Sequence, residues 1–241
     1  MGLSNKISRG EVKRGDHIYT WCKAYTYAHH GIYVGDGKVV HFTHGRGPKT
    51  GIYASSSPNY PLCLTCEEQS RFEGHKVITS CLDCFLAGGK LRLYRYKVSK
   101  SSLIANRGGT CTLAPSDPPE DVLFRANFHL KIDGCFGDYH LTGNNCEDFA
   151  IYCKTGILDC KKNSVGISGQ VNAATAAMIS LAINSVTGLG TVAFIVYWRN
   201  RVAHDVSRNA NSIKFPAEKL DSILKSDCSS PKEAWLSIAG A

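Results

Sequence analysis

No apolar run opens this chain: "MGLSNKISRGEVKRGD" lacks the core of a secretory signal, and Lys6 stands where N-myristoylation wants Ser or Thr. There is no internal repeat. Basic residues are not gathered into a tail; 28 Lys and Arg against 20 Asp and Glu are dispersed to a formal net charge of +8. That balance favours an acidic neighbour, such as anionic lipid or nucleic acid, with a soluble basic protein as the alternative. From Asn163 to Trp198 no residue is charged at all. Eleven cysteines without a signal peptide read as metal ligands, a nucleophile and packed thiols in an intracellular, reducing compartment, not as a disulfide framework.

What is present suffices for a core: 43% of the 241 residues are hydrophobic, which excludes wholesale disorder. Residues 16–23, 29–34 and 38–43 have strand composition, and "KLRLYRYKV" at 90–98 alternates. The stretch 45–62, rich in Gly, Ser and Pro, reads as loop. A helix is expected from 117, with Asp117 as cap, Pro118 in the first turn, Glu120 at the capping-box spacing, and Leu123, Ala126 and Leu130 on one face. A second helix is expected from Cys146 to Thr155, stopped by Gly156. Strands first and helices after imply an α+β fold with a small antiparallel sheet and packed helices. The uncharged segment 163–198 contains an apolar heart, 171–198, long enough to contact or cross a bilayer; an Ala-rich helical hairpin packed on the domain is the alternative. The tail 199–241 is polar, with one helix expected near 216–225.

Two Cys-x-x-Cys knuckles, "CLTC" at 63–66 and "CLDC" at 81–84, lie fourteen residues apart. Four thiolates at that spacing suit a tetrahedral Zn²⁺, and four protein ligands make it structural, leaving no open position for catalysis. Cys63, Cys66, Cys81 and Cys84 are therefore the expected ligands, with His75 inside the loop as the substitute for any one of them.

"GNNCEDFAIYCKTG" places Cys146 directly after two good N-capping asparagines. At a helix start the unpaired N–H groups and the dipole favour an anion, which lowers a thiol's pKa and could also stabilise a substrate oxyanion. Such a thiol needs a histidine base oriented by a third polar group. "YAHHGIYVGDGKVVHFTH", residues 27–44, offers four histidines around one hairpin. A two-residue Asp36-Gly37 turn in regular register puts His30 beside the face of His41; a loop with a bulge puts His29 there instead. Geometry at this level leaves both open.

"HHGIYVGDGKVVHF" followed by "NNCEDF" resembles the lecithin:retinol acyltransferase-like (NC-domain) family, similar to circularly permuted NlpC-type thiol peptidases. The resemblance covers about residues 10–157, with "KRGDHIY" at its start. It implies an acyltransferase or phospholipase that takes an acyl chain from a phospholipid through an acyl-cysteine. It implies Cys146 as nucleophile, His29 as base and His41 as its orienting partner, with His30 in an aromatic position, and so favours the bulged hairpin. Family members with a hydrophobic anchor after the cysteine helix imply membrane contact for 171–198, with the active domain facing the cytosol. The Cys₄ loop at 63–84 is an insertion resembling the plant-type branch. The expected partner is a phospholipid or other acyl lipid; nucleic acid is not expected. A thiol amidase or peptidase on the same site, and a zinc-stabilised adaptor without turnover, are the competing readings. His44 is expected to be a solvated strand end, and Cys153, Cys22, Cys111, Cys135, Cys160 and Cys228 to be packed thiols.

Overall fold

A computed structural model describes residues 5–22, 27–44, 63–69, 72, 74–132, 136–140, 144–159, 169–187, 190–208 and 212–214. In chain order the elements are β1 (His17–Cys22), β2 (Tyr27–Gly35), β3 (Lys38–His44), α1 (Leu64–Gln69), β4 (His75–Cys81) and α2 (Leu82–Leu86). There follow β5 (Arg92–Leu93), α3 (Lys100–Ala105), α4 (Pro119–Lys131), α5 (Cys146–Thr155), β6 (Ile157–Asp159), α6 (Gly169–Thr187), α7 (Gly190–Ala203) and β7 (Ser212–Lys214). The fold is α+β, with a five-stranded antiparallel sheet in the order β4-β3-β2-β1-β5 and a separate β6-β7 ribbon.

Alternation along the strands divides the sheet into two apolar faces. Ile32, Val40, Phe42 and Val77 meet α4 and α5, where Phe149 and Tyr152 are fully buried. Ile18 and Val39 face the other way, onto Leu82, Phe85 and Leu86 of α2. Complete burial of a side chain such as Phe149 contributes roughly 1.5–3 kcal/mol. α5 spans Cys146–Thr155 and ends at Gly156, whose φ of 66° is the left-handed cap that glycine supplies without a Cβ clash.

The hairpin answers the register question with both devices at once. Asp36 and Gly37 form a two-residue turn with positive φ (50° and 67°), and Gly35 pairs with Lys38. A bulge between Tyr33 and Gly35 then shifts parity, so Tyr33 pairs with Val39 and Ile32 with Val40. His29 thereby shares a face with His41.

Four expectations from sequence need correction. The strand at 90–98 contracts to Arg92–Leu93, because β1 starts at His17, which Tyr94 N still reaches, and from Arg95 onward the backbone bonds to the 110–114 segment instead. β4 was not foreseen; it pairs with all of β3, from Lys38↔Cys81 to His44↔His75. Asp117 does not cap α4, which starts after Pro118 with no side-chain cap; its carboxylate instead accepts from Arg125 Nη2 (2.8 Å) and Lys214 Nζ (2.5 Å). The buried stripe of α4 is Val122, Arg125, Ala126, Phe128 and His129, leaving Leu123 and Leu130 half-buried. Buried Arg125 also donates to Cys153 O, and so ties α4 to the C-terminal end of α5. The loop at 45–62 and the helix near 216–225 lie outside the described residues.

α6 and α7 pack on one another, with Ser180 Oγ donating to Ala193 O at 2.7 Å. Among the described residues no helix is long and apolar enough to cross a membrane. Arg201 of α7 ties this pair to the domain through Leu103 O. Its outer faces leave Met178, Leu181, Phe194 and Ile195 more than half exposed.

Candidate active site

Cys146 opens α5, and Asn145 is its N-cap. The Asn145 carboxamide oxygen accepts from Glu147 N (2.8 Å) and Asp148 N (3.3 Å), while the Asp148 carboxyl accepts from Asn145 N (3.0 Å), a reciprocal capping box. Two of the amides that the sequence assigned to an oxyanion are thus already taken. Asn144 donates to Phe136 O and Asp138 O, which fixes the loop carrying Tyr139. Tyr139 OH in turn lies 3.8 Å from Cys146 Sγ.

The thiol meets the sheet at the edge of β2. Cys146 Sγ donates to Ala28 O at 3.8 Å, and the backbone N–H of His30 points at the same sulfur. Those two peptide groups flank His29 and project from one edge of the strand. Pairing of β2 with β3 runs only from Gly35 to Ile32, beyond which β3 continues with β4. The edge beside His29 is therefore open, and the sulfur occupies the place of a ladder partner.

On the opposite face of the sheet from the body of α5, His29 and His41 form a relay. His29 Nε2 lies 3.0 Å from His41 Nδ1, and His41 Nε2 lies 2.7 Å from Ser80 Oγ. Phe85 packs against both rings. His29 Nδ1 is buried with no hydrogen-bond partner among the described residues. No hydrogen bond joins Cys146 Sγ to either the His29 or the His30 ring.

His30 is turned to the other face. Its Nδ1 lies 2.9 Å from His17 Nε2 and its Nε2 lies 3.2 Å from the Gln170 amide nitrogen, while its ring stacks on Tyr19. Both His30 nitrogens have partners other than the relay.

Electrostatics overturn one expectation. Burial pushes the Cys146 thiol up to about 12, against the lowering by the His30 N–H and Tyr139, and Glu147 adds to the rise. Desolvation outweighs the helix-start effect because Cys146 is only 3% exposed. Burial likewise lowers His29 to about 3, helped by His30, and holds His41 well below the usual imidazole range. The closed site rests as neutral thiol beside neutral imidazoles.

Residues 10–159 match the family described as Lecithin retinol acyltransferase. The chain belongs to that family. It is also 46% identical over 242 residues to Protein LEAD-SENSITIVE 1 of Arabidopsis thaliana, covering 93% of this chain and 92% of the relative. Family membership supports a thiol enzyme of the acyltransferase type.

The four cysteines of the two knuckles do converge. Sγ atoms of Cys63, Cys66, Cys81 and Cys84 all lie within 4.8 Å of one another, and Cys63 and Cys81 are 4.0 Å apart. Zinc–thiolate bonds of ~2.3 Å in a tetrahedron put sulfurs about 3.8 Å apart, so the cluster fits a metal ion of that kind. Backbone N–H groups of Cys63, Cys81 and Cys84 already donate to sulfurs of the cluster at 3.2, 3.2 and 3.4 Å. The Cys66 backbone N–H leads the effects that lower the Cys63 thiol to about 7. His75 is not in the cluster; its Nδ1 is 3.7 Å from Asp138, and its ring is 4.8 Å from that of His44.

Cys111 and Cys153 are buried thiols and Cys22 is half-buried, whereas Cys135, Cys160 and Cys228 lie outside the described residues. Sequence reading missed Ser80, Tyr139 and Gln170. Ser80 alternates correctly within "HKVITSC" but carries no motif, and Tyr139 and Gln170 reach the site only through tertiary packing.

Proposed function

We propose that the chain is a thiol-dependent acyltransferase or phospholipase acting on phospholipid acyl esters through an acyl-Cys146 intermediate. One observation carries this reading: the Cys146 sulfur is held by the two peptide groups that flank His29, whose Nδ1 is buried and unpartnered while its Nε2 is bound to His41. With Ser80 Oγ accepting from His41 Nε2–H, His41 Nδ1 accepts from His29 Nε2–H, and Nδ1 of His29 keeps its lone pair for a proton. In this reading His29 turns about the open edge of β2 to bring that lone pair to the thiol.

In the reaction, His29 Nδ1 takes the thiol proton as Sγ attacks the ester carbonyl and the S–C bond forms. The ester C–O bond then breaks, and the imidazolium returns the proton to the leaving lysolipid oxygen. Water, a hydroxyl or an amine, deprotonated by the same imidazole, attacks the thioester and releases Cys146. The Cys146 N–H, which Asn145 does not occupy, and the Tyr139 hydroxyl are the donors placed for the oxyanion. Burial holds the Tyr139 hydroxyl well above its ordinary value, so it stays a donor.

Cys63, Cys66, Cys81 and Cys84 hold a structural Zn²⁺ in this reading, which locks the loop between β3 and β4; the metal supplies no chemistry to the ester. The exposed apolar faces of α6 and α7 engage a lipid surface, with the net positive charge of +8 drawing the protein to anionic headgroups. The test is labelling with a p-nitrophenyl fatty-acyl ester. Burst release of one nitrophenol per chain, lost in Cys146→Ala and in His29→Ala, supports the reading. Folded variants that react like the wild type contradict it, and a wild type with no burst favours the adaptor. A burst with acyl-amide but not acyl-ester probes favours the amidase.

A further inference from the structure

The sulfur of Cys146 is not alone at the open edge of β2. The carboxamide of Gln170, the second residue of α6, docks there as a strand would: its Oε1 accepts from Ala28 N (2.7 Å) and its Nε2 donates to Ala28 O (3.4 Å). Ala28 O is the same oxygen that accepts from Cys146. Gln170 Nε2 also reaches His30 Nε2 at 3.2 Å and the Glu147 carboxylate at 3.2 Å. Glu147, adjacent to the thiol and fully buried, accepts in addition from Gly169 N (3.1 Å) and Gln170 N (3.3 Å), so it caps the first turn of α6 from another helix.

This seat is built to close tolerance. A Cβ on Gly109 would lie 2.2 Å from Gln170 Cγ, and one on Gly108 would lie 2.4 Å from both Ala173 Cβ and Gly169 O. Arg201, buried near the end of α7, donates to Gly169 O at 3.3 Å and to Leu103 O at 3.1 Å. Both helices of the apolar hairpin are thus tied at one root, and that root shares a peptide oxygen with the thiol.

We propose that Gln170 is a positioning residue that couples the α6–α7 hairpin to Cys146, so that seating the hairpin on a lipid surface exposes the sulfur. This rests on the lipid-surface reading given under Proposed function. The lever is mechanical. Load on the exposed faces of the hairpin moves its root, withdraws the carboxamide from Ala28, and opens the β2 edge that the thiol shares.

The experiment follows iodoacetamide alkylation by peptide mass spectrometry, on the full chain, with and without vesicles of phosphatidylcholine containing about one quarter phosphatidylglycerol. In the wild type, vesicles are expected to accelerate alkylation of Cys146 about fivefold or more, the lower end of ordinary coupling between sites. Gln170→Leu keeps the packing on Gly109 and the backbone bond to Glu147 but loses the polar contacts of the carboxamide, so its Cys146 reacts fast without vesicles and no faster with them. Buried Cys153 stays slow in both proteins, which a general loosening would not allow. Should Gln170→Leu not fold, hydrogen exchange of the Ala28 amide in the wild type reports the same contact and speeds up on vesicle binding.

A wild type that sediments with vesicles but shows unchanged Cys146 alkylation and Ala28 exchange overturns the proposal, as does a Gln170→Leu protein with the wild-type response. Failure to bind vesicles overturns the lipid-surface reading itself, and the coupling with it.

Discussion

Ser80 Oγ lies 2.7 Å from His41 Nε2, and the next residue in the chain, Cys81, is one of the four clustered thiols. The metal loop and the histidine relay are therefore neighbours on β4, not separate modules. Cys63→Ser and Cys81→Ser proteins are expected to lose about one bound zinc per chain by elemental analysis and to melt at lower temperature, since metal binding to such sites is coupled to folding. Cys81→Ser should also impair the reaction more than Cys63→Ser, because it alone sits beside the residue that holds His41. Retained zinc with unchanged melting in both would remove the metal site from the account.

The relay predicts a graded series. Replacing His29 with Ala should lower turnover about 10²–10⁴-fold, the usual contribution of a general base. Ser80→Ala removes one hydrogen bond, worth ~1 kcal/mol, and should cost about fivefold, with the double variant His41→Ala/Ser80→Ala no worse than His41→Ala alone. Steady-state kinetics of the folded variants decide this; additive losses would show that Ser80 does not act through His41.

Without lipid, the pH profile of Cys146 alkylation should climb about tenfold per pH unit through the neutral range and show no plateau, because a thiol near 12 is almost wholly protonated there. A plateau close to neutrality would mean that the helix start, not burial, sets the resting thiol.

Acid should destabilise the fold from about the ordinary imidazole range downward. Burial lowers His29, His30 and His129 to about 3, so each is neutral in the folded chain while its unfolded counterpart protonates below about 6.5. Between those values the unfolded state binds more protons, and stability falls with pH by ~1.4 kcal/mol per unit for each histidine. It is fully present above the unfolded pKa. Urea melts at pH 7.5, 6 and 5 should show that ordered loss; equal stability at the three would contradict the burial of these rings.

Much of this was legible in the sequence because the signals are local. Asn145 before Cys146 and Gly156 after Thr155 marked both ends of α5, and two Cys-x-x-Cys knuckles marked the thiol cluster without any fold. The pairing of His29 with His41 was legible only as a choice between registers, since parity depends on a bulge near Val34 that any pattern of β-branched residues tolerates. What stayed hidden is non-local. Thiol acidity was misjudged because burial of Cys146 is set by Tyr139, Ala28 and the helices behind it, not by its own helix. Asp117 looked like a cap but is drawn off by Arg125 and Lys214. Arg95 looked like mid-strand, but its N–H leaves β1 for Thr110 O.

The central claim is that an acyl group passes through the sulfur of Cys146. Incubate the purified protein with mixed phospholipids, quench in acid, and measure peptide masses. The account predicts an added fatty-acyl mass on the peptide containing Cys146, released by hydroxylamine and absent in the His29→Ala protein. A folded wild type that consumes phospholipid while this peptide keeps its unmodified mass at every time point, or carries the acyl group on another cysteine, would contradict it.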